Sequence, residues 1–431
     1  MILIAGAGLA GLSTAFHLGD DARIIEREER PGGLCRTEKI GSYRFDYGGH
    51  LLHLRSDYVE GLAKELVGDS LKLFKRKSSI YSNGVTTPYP FQANTHGLPP
   101  EVARDCVVGF VNALIEREKG AEAPDNFRDW ILHSFGEGFA GHFFFPFNEK
   151  FFKRDLSEIT DEWVSWSIPR PDLKEVVDGA LGVQKSDFGY NVEFYYPEGG
   201  IEELPRALAG SIHGGIETGV GLCEVRPLEK VAVLSTGEEV KYDRLVSTVP
   251  LDRLLSMLTG VPEDIAGAAD KLSVLSVVCV NLGISGPPLT DMHWIYVPER
   301  DYPFHRIGVY SNFLPHGDGR NSLYLEITCP GPVGEKLSGK CDEDAGRAAA
   351  VFRDTPFFDN GKNSIDVDET FIIKHGYVVY DRFRRDHLPG IIDWLREHGI
   401  ELCGRYARWE YSTMEDAILE GKEIAERTKG G

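Results

Sequence analysis

Three glycines close to the start of the chain have the spacing of a phosphate-binding turn. The run Gly6-Ala7-Gly8-Leu9-Ala10-Gly11 matches Gly-x-Gly-x-x-Gly, and Glu26 follows at about the separation expected of a ribose-binding carboxylate. In such a turn Gly6 permits the sharp bend, Gly8 lets the backbone approach a pyrophosphate, and Gly11 lets a helix pack closely on the preceding strand. These residues predict a dinucleotide site.

Two more glycine pairs indicate which dinucleotide is bound. NAD, NADP and FAD share the first turn, but here Gly32-Gly33 and Gly48-Gly49 follow the ribose acid closely. Such loops suit an extended FAD whose ring the backbone approaches, and Arg36 supplies a guanidinium for phosphate or flavin oxygens. We therefore predict FAD as the cofactor, bound in part by Gly6, Gly8, Gly11, Glu26, Arg27, Gly33, Arg36 and Gly49.

The surrounding sequence predicts the elements that position these residues. Ile2–Ala5 is a short apolar run typical of a buried parallel strand, residues 12–18 are helical, and residues 23–26 form a second strand. Further along, residues 231–242 predict a hairpin with a central turn, and residues 244–250 predict a strand that returns to the parallel sheet.

The length of the chain and a first resemblance predict the domain organisation. At 431 residues more than one domain is expected. Glu26, the run 30–33 and Arg36 resemble the amine-oxidase-like clan of FAD proteins, in which the FAD domain is assembled from separated pieces. We predict an α/β fold with a discontinuous, Rossmann-like FAD-binding domain, a helical cap and an antiparallel-sheet substrate domain. The predicted bounds are 1–84, 189–270 and 386–431 for the FAD-binding domain, 85–188 for the cap and 271–385 for the sheet.

Composition excludes several other classes of function. The formal net charge of −20 argues against a nucleic-acid partner or an anionic membrane surface, since both need clustered Lys and Arg. No apolar run approaches the roughly 20 residues of a membrane-spanning helix, and we expect no secretory signal. The seven cysteines form no Cys-x-x-Cys pair, so we expect no disulfide framework, no metal site and a cytoplasmic location.

Segments spread over nearly the whole chain resemble the UDP-galactopyranose mutase family, above all its larger, eukaryotic-type members. Their order and spacing carry the resemblance, because an unrelated flavin oxidase has no reason to share segments outside its FAD domain. The matching segments are the runs 48–50, 88–92, 146–151, 191–197, 199–200, 294–296, 303–306, 311–312, 375–377 and 404–411.

The resemblance implies an unusual use of flavin. In this family the reduced flavin N5 attacks the anomeric carbon of a nucleotide sugar, and pyranose and furanose forms interconvert without net redox change. It implies a nucleotide-diphosphate sugar as substrate and a reductant such as NAD(P)H as partner. By resemblance the catalytic residues are His50, Arg306 and Asn191, the further cofactor-binding residues are His50, Arg405 and Met414, and the substrate-binding residues are Tyr296, Arg306, Tyr377, Tyr411 and Arg170.

Two positions depart from the family pattern and leave a second class of function open. Ser167 stands where the family carries a second diphosphate-binding arginine, and Arg170 could replace it if the helix continues past Pro169. Phe313 lacks the family's tyrosine hydroxyl. Arg306 could also pair with an acidic loop residue, Glu299 or Asp301. The alternative function is an FAD-dependent oxidase or dehydrogenase of the protoporphyrinogen-oxidase or amine-oxidase type.

Overall fold

The structure is a computed structural model that describes residues 1–164, 168–183, 192–316 and 319–430. Its helices in these ranges are α1 Leu9–Leu18, α2 Asp57–Val67, α3 Pro100–Glu118, α4 Phe127–Phe139, α5 Phe145–Phe152, α6 Leu173–Leu181, α7 Glu203–Gly210, α8 Leu251–Ser256, α9 Glu263–Ala266, α10 Gly339–Arg353, α11 Arg382–Glu397 and α12 Met414–Gly430.

The strands of the described ranges form two large sheets and three small ones. They are β1 Ile2–Ala5, β2 Ala22–Glu26, β3 Thr37–Ile40, β4 Tyr43–Asp46, β5 Leu71–Lys75, β6 Ser78–Ser82, β7 Val85–Pro88, β8 Glu193–Pro197, β9 Glu217–Thr218, β10 Leu222–Arg226, β11 Val231–Leu234, β12 Glu239–Lys241, β13 Arg244–Ser247, β14 Val274–Ser285, β15 Trp294–Tyr296, β16 Arg306–Val309, β17 Arg320–Gly331, β18 Ser364–Val378 and β19 Ile400–Leu402.

A parallel sheet holds the N-terminal unit. Its strand order is β19-β13-β1-β2-β9, and every neighbouring pair is parallel. The apolar β1 lies buried at its centre, as expected of a strand covered on both faces. Helix α12 packs on α1 so closely that a Cβ on Gly421 would lie 2.7 Å from the Ser13 Cβ. The predicted strands at 2–5 and 23–26 and the hairpin of β11 and β12 are confirmed, and the strand predicted at 244–250 is present but ends at Ser247.

A seven-stranded sheet forms the second layer of the molecule. Its order is β18-β14-β17-β16-β15-β6-β7, and its long central strands β14 and β17 are antiparallel and almost wholly buried. The pair β15–β6 is parallel, so the sheet is mixed at this point. Hairpin β6–β7 therefore belongs to this sheet, and the domain boundary predicted at 84/85 falls at the start of its second strand.

Helices α3 to α6 lie in the stretch predicted to be helical, and α3 and α4 pack with their backbones in contact. A Cβ on Gly136 would lie 2.0 Å from the Gly109 carbonyl oxygen, and Gly136 itself has φ 77° inside α4. A π-helical turn, Ala140–Phe144, then leads into α5. Because a π turn offsets the helical register, it changes the direction in which the following aromatic side chains point.

One pair of cysteines departs from expectation. Cys329 on β17 and Cys341 on α10 form a disulfide, with their Cα atoms 6.0 Å apart. The expectation of no disulfide is wrong for this pair, because the packing of α10 on β17, rather than a short sequence motif, brings the two residues together. In the described ranges no helix is long and apolar enough to cross a membrane, and no cluster of His, Cys, Asp and Glu could hold a metal ion.

Candidate flavin and substrate site

The glycine turn after β1 has no room for side chains. Gly6 has φ 103°, and a Cβ on Gly11 would lie 2.0 Å from the Gly6 carbonyl oxygen. The second glycine loop lies directly against the first, since a Cβ on Gly33 would lie 3.1 Å from the Gly8 Cα. Backbone alone therefore forms this surface at the N-terminus of α1, where a pyrophosphate is favoured.

Glu26 ends β2 and braces the same turn. Its carboxylate accepts hydrogen bonds from the Ala7 N–H at 2.7 Å and from the Glu28 N–H at 3.0 Å, and the residue is 7% exposed. A carboxylate has further acceptor sites, so it can also accept a ribose hydroxyl. Arg27 points outward instead, with a side chain 76% exposed and an ion pair to Glu28.

Two arginines next to the glycine loops have donors without a hydrogen-bond partner in the described part of the chain. The unsatisfied donors are the buried Nε atoms of Arg36 and Arg405, and the buried Ser412 Oγ also lacks a partner among the described residues. Arg405 otherwise donates to the Ser412 carbonyl at 2.9 Å, and Met414 contacts Cys35 nearby. Buried polar atoms are ordinarily satisfied, so a polar, anionic ligand is expected here. These donors and the glycine surface fit FAD.

His50 is held near Arg405 by the loop that contains it. A Cβ on Gly49 would lie 2.4 Å from the Tyr324 hydroxyl, so the loop packs directly on β17. Burial, reinforced by the positive charge of Arg405, lowers the pKa of His50 to about 4. The imidazole is therefore neutral at pH 7, and its buried Nδ1 has no hydrogen-bond partner among the described residues.

Arg306 belongs to a buried hydrogen-bonded network, termed here the Arg306 network, with Glu326, Tyr377 and His305. Strand pairing sets Arg306 on β16 directly opposite Glu326 on β17. The Arg306 Nε donates to Glu326 Oε2 at 2.9 Å, Nη2 donates to the same oxygen, and Nη2 also lies 3.1 Å from the Tyr377 hydroxyl oxygen. Tyr377 in turn donates to Glu326 Oε1 at 2.9 Å.

The electrostatics of the Arg306 network keep Glu326 ionised. Burial raises the pKa of this carboxyl, which is 1% exposed, but the Arg306 charge and the hydrogen bond from His305 outweigh burial and hold the pKa well below its usual range. Burial also lowers the pKa of His305 to about 4, so His305 is neutral at pH 7. Arg306 and Glu326 thus form a pair whose charges cancel.

A cavity of about 310 Å³ lies between the helical region and these residues. Ten of its fourteen lining residues are aromatic, and Arg405 is the one charged residue of the described lining. The lining consists of Tyr89, Gln92, Phe143, Phe144, Phe147, Asn148, Phe151, Phe152, Trp163, Ile168, Tyr296, Tyr377, Arg405 and Tyr411.

The structure brings most of the expected substrate residues together. Tyr296, Tyr377 and Tyr411 line the cavity with Arg405, whose guanidinium lies 5.7 Å from the Tyr377 ring and 5.0 Å from the Tyr411 ring. Arg306 lies behind Tyr377, and its partner is Glu326 rather than an acidic loop residue.

Other expected residues lie elsewhere. The Arg170 guanidinium stacks 4.8 Å above the Trp130 ring, and neither residue lines the cavity, so Arg170 does not take the place of the missing arginine in this structure. Phe313 packs in the core against Tyr196. Asn191 and Ser167 lie outside the described residues.

Sequence reasoning missed Glu326 and the aromatic wall of Phe143, Phe144 and Phe147. Glu326 lies in a strand that is buried on both faces, so only its charge within an apolar run could have identified it. Phe143 stacks on both Phe91 and Phe147, so the same rings pack the core and line the cavity.

Comparison with known proteins identifies the family. The family model for flavin containing amine oxidoreductase matches residues 9–428. The chain therefore belongs to the flavin-containing amine oxidoreductase family, and its fold is that of an FAD-dependent enzyme of this family.

The individual relatives include a UDP-galactopyranose mutase and two proteins named as porphyrinogen oxidases. A solved structure of reduced UDP-galactopyranose mutase is 25% identical, has a TM-score of 0.92, and the match covers 100% of this chain and 93% of that one. A structure from Exiguobacterium sp. 255-15, assigned as a protoporphyrinogen oxidase, is 15% identical with a TM-score of 0.74, covering 99% and 98%. Coproporphyrinogen III oxidase of Mycobacterium bovis is 24% identical over 319 residues, a match that spans 66% of this chain and 66% of that enzyme.

Proposed function

We propose that the chain is a flavin-dependent nucleotide-sugar mutase that interconverts pyranose and furanose forms. The observation that carries the proposal is the grouping of Tyr377, Tyr411 and Arg405 at the cavity, with Arg306 hydrogen-bonded to Tyr377 behind them. A guanidinium with neighbouring hydroxyls suits a sugar diphosphate, whereas an apolar substrate has no use for them. The likeness to reduced UDP-galactopyranose mutase over the whole chain supports the same function.

The residues of the site divide the proposed work. Reduced flavin, when bound, supplies a nucleophilic nitrogen for the anomeric carbon of the sugar. Arg306, Tyr377 and Tyr411 hold the diphosphate while it is detached from the sugar, so that it can return to the same carbon. Neutral His50 offers a hydrogen bond at the flavin ring without adding charge, and Asn191 is assigned to the sugar. Arg36, Arg405 and Met414 hold the cofactor.

The aromatic wall has a role in this reaction. Phe143 in the π-helical turn and Phe147 and Phe151 in α5 stack in sequence, and the Phe151 ring lies 4.7 Å from the Tyr377 ring. These rings exclude water from the end of the cavity where the diphosphate leaves, which protects the detached sugar from hydrolysis. A nucleotide sugar as substrate and NAD(P)H as the source of electrons would be met in the cytoplasm.

A second candidate is an FAD-dependent oxidase of the coproporphyrinogen or protoporphyrinogen type. The observation that favours it is the aromatic composition of the cavity, which holds a single charged residue among those described. The sequence similarity to coproporphyrinogen III oxidase supports it as well. Such an enzyme would transfer hydride from a bulky porphyrinogen macrocycle to oxidised flavin, and the Arg306 network would then have a purely structural role.

One assay separates the two functions. The flavin is reduced anaerobically with dithionite, UDP-galactose and other UDP-, GDP- and TDP-sugars are added, and the products are separated by chromatography. The mutase proposal predicts a furanose product from at least one sugar nucleotide with reduced enzyme and none with oxidised enzyme. Absence of isomerisation, together with oxygen consumption in the presence of coproporphyrinogen, would replace the mutase with the oxidase.

A further inference from the structure

The Arg306 network contains a carboxylate that a phosphate-binding site does not need. A lone arginine attracts phosphate, but a fully buried glutamate directly beside it repels the same anion. Glu326 is 1% exposed, whereas the Arg306 side chain retains 21% exposure. The carboxylate is therefore more fully enclosed than the Arg306 side chain, part of whose surface stays exposed.

Both carboxylate oxygens of Glu326 have hydrogen-bond donors within the described part of the protein. Oε2 accepts both Arg306 bonds, and Oε1 accepts the Tyr377 hydroxyl at 2.9 Å and faces His305 Nε2 at 3.3 Å. A carboxylate bonded in this way fixes the plane of the guanidinium it pairs with. Glu326 thus orients Arg306 and cancels its charge at the same time.

The charge of the site follows from these contacts. His305 and Tyr377 are neutral at pH 7, and Arg306 and Glu326 cancel, so the Arg306 network as a whole carries no net charge. Arg405 is the one charged residue of the described cavity lining, and its free Nε fits the cofactor. A phosphate bound at Arg306 would be held by directed hydrogen bonds with little net electrostatic attraction.

We propose that Glu326 is a specificity-determining residue that orients Arg306 while cancelling its charge, so that the site discriminates only weakly between a nucleoside diphosphate and a nucleoside monophosphate. This inference rests on the proposed function. Hydrogen bonds from a network that has no net charge can hold a diphosphate during the reaction and still let it leave with the product. Tight electrostatic binding would instead retain the nucleotide.

The matched variants are Glu326→Gln and Glu326→Ala. Glutamine has the shape of glutamate: its amide oxygen can accept from Arg306, and its amide nitrogen can donate to the Tyr377 oxygen or to His305 Nε2. Glu326→Gln therefore removes the charge and keeps the orientation, whereas Glu326→Ala removes both. Asp344→Asn is the control, because Asp344 is also a buried, ion-paired carboxylate but lies on α10 outside the cavity lining.

The experiment is calorimetric titration of the FAD-loaded enzyme with UDP and with UMP at one ionic strength. Wild type and Asp344→Asn are expected to favour UDP over UMP by less than about tenfold. Glu326→Gln is expected to raise that ratio by roughly tenfold or more, because the second phosphate no longer meets a negative charge. Glu326→Ala is expected to bind UDP more weakly than Glu326→Gln, since Arg306 is no longer oriented.

Two outcomes would overturn the inference. An unchanged ratio of UDP to UMP affinity in Glu326→Gln would show that Glu326 does not set charge selectivity, and if both affinities also fell by the same factor Glu326 would have a positioning role alone. If neither nucleotide binds the wild-type enzyme, the proposed function fails together with the inference, whereas the first outcome leaves the proposed function intact.

Discussion

Replacement of Arg306 by methionine is predicted to destabilise the protein through the glutamate it leaves behind. Methionine fills most of the arginine stem but leaves the Glu326 carboxyl 1% exposed, with Tyr377 and His305 as its remaining donors among the described residues. Two charges about 4 Å apart interact by about 4 kcal/mol at an effective dielectric constant of about 20. Loss of one partner of a buried pair costs a similar amount, about 3–5 kcal/mol.

The expected shift in Tm follows from the size of the chain. An unfolding entropy of about 2.1 cal/mol/K per residue gives about 0.9 kcal/mol/K for 431 residues. A loss of about 4 kcal/mol therefore lowers Tm by about 4 °C. Glu326→Gln alone is expected to cost less, because Arg306 retains partial exposure, and the double variant Arg306→Met/Glu326→Gln is expected to recover about half of the loss in Arg306→Met.

The pH dependence gives the same prediction a second readout. In the wild type the folded-state pKa of Glu326 is held below its unfolded value, so its contribution to stability is present above about pH 4.3 and is lost as pH falls through the folded pKa. Without Arg306, burial raises that pKa, and stability is lost as pH rises above about 4.3. The Tm deficit of Arg306→Met should therefore grow from pH 5 to pH 8.

The assay is thermal unfolding of the FAD-loaded proteins, followed by circular dichroism across this pH range. A Tm deficit that does not change with pH would show that the loss of stability does not come from the Glu326 carboxyl. A double variant no more stable than Arg306→Met would contradict the prediction as well, since the cost would then not arise from the unpaired carboxylate.

Two further predictions concern the loop that leads to the flavin. Gly49→Ala should lower the ratio of flavin absorbance to protein after purification, because the new Cβ would lie 2.4 Å from the Tyr324 hydroxyl. Gly61→Ala is the control and should retain full flavin, because the space around its Cβ is open. Equal flavin content in the two variants would contradict the prediction. Burial raises the pKa of Asp46 to about 7, so its contribution to stability, fully present below about pH 4, is lost as pH rises through 7. The wild-type Tm should therefore fall between pH 5 and pH 7, and the Asp46→Asn variant should show a smaller fall. An equal fall in Tm in the two proteins would contradict the assignment to Asp46.

Local sequence patterns predicted the parallel sheet well because the residues that define it are close together in the chain. The apolar strand β1, the glycine turn and the ribose carboxylate are adjacent in the chain, and all three lie where expected. The predicted boundary at 84/85 falls between strands β6 and β7, which pair with each other in the seven-stranded sheet. Their partner β15 lies some 200 residues away, and no local pattern shows which distant strand completes a sheet.

The candidate site was predictable where a resemblance supplied the residue and unpredictable where tertiary packing decided its partner. Tyr296, Tyr377, Tyr411 and Arg405 meet at the cavity as expected. Glu326 was missed because its partner, Arg306, is set by strand register rather than by sequence spacing. Arg170 could not be placed from sequence, because its contact with Trp130 depends on how α4 packs.

The central claim is that flavin acts in this enzyme without net oxidation or reduction of the substrate. It is tested most directly by counting furanose molecules formed per reducing equivalent added to the anaerobic enzyme. The account predicts many turnovers per equivalent, with activity lost when the flavin is reoxidised. A yield of one product or fewer per equivalent, or activity with oxidised flavin, would contradict it.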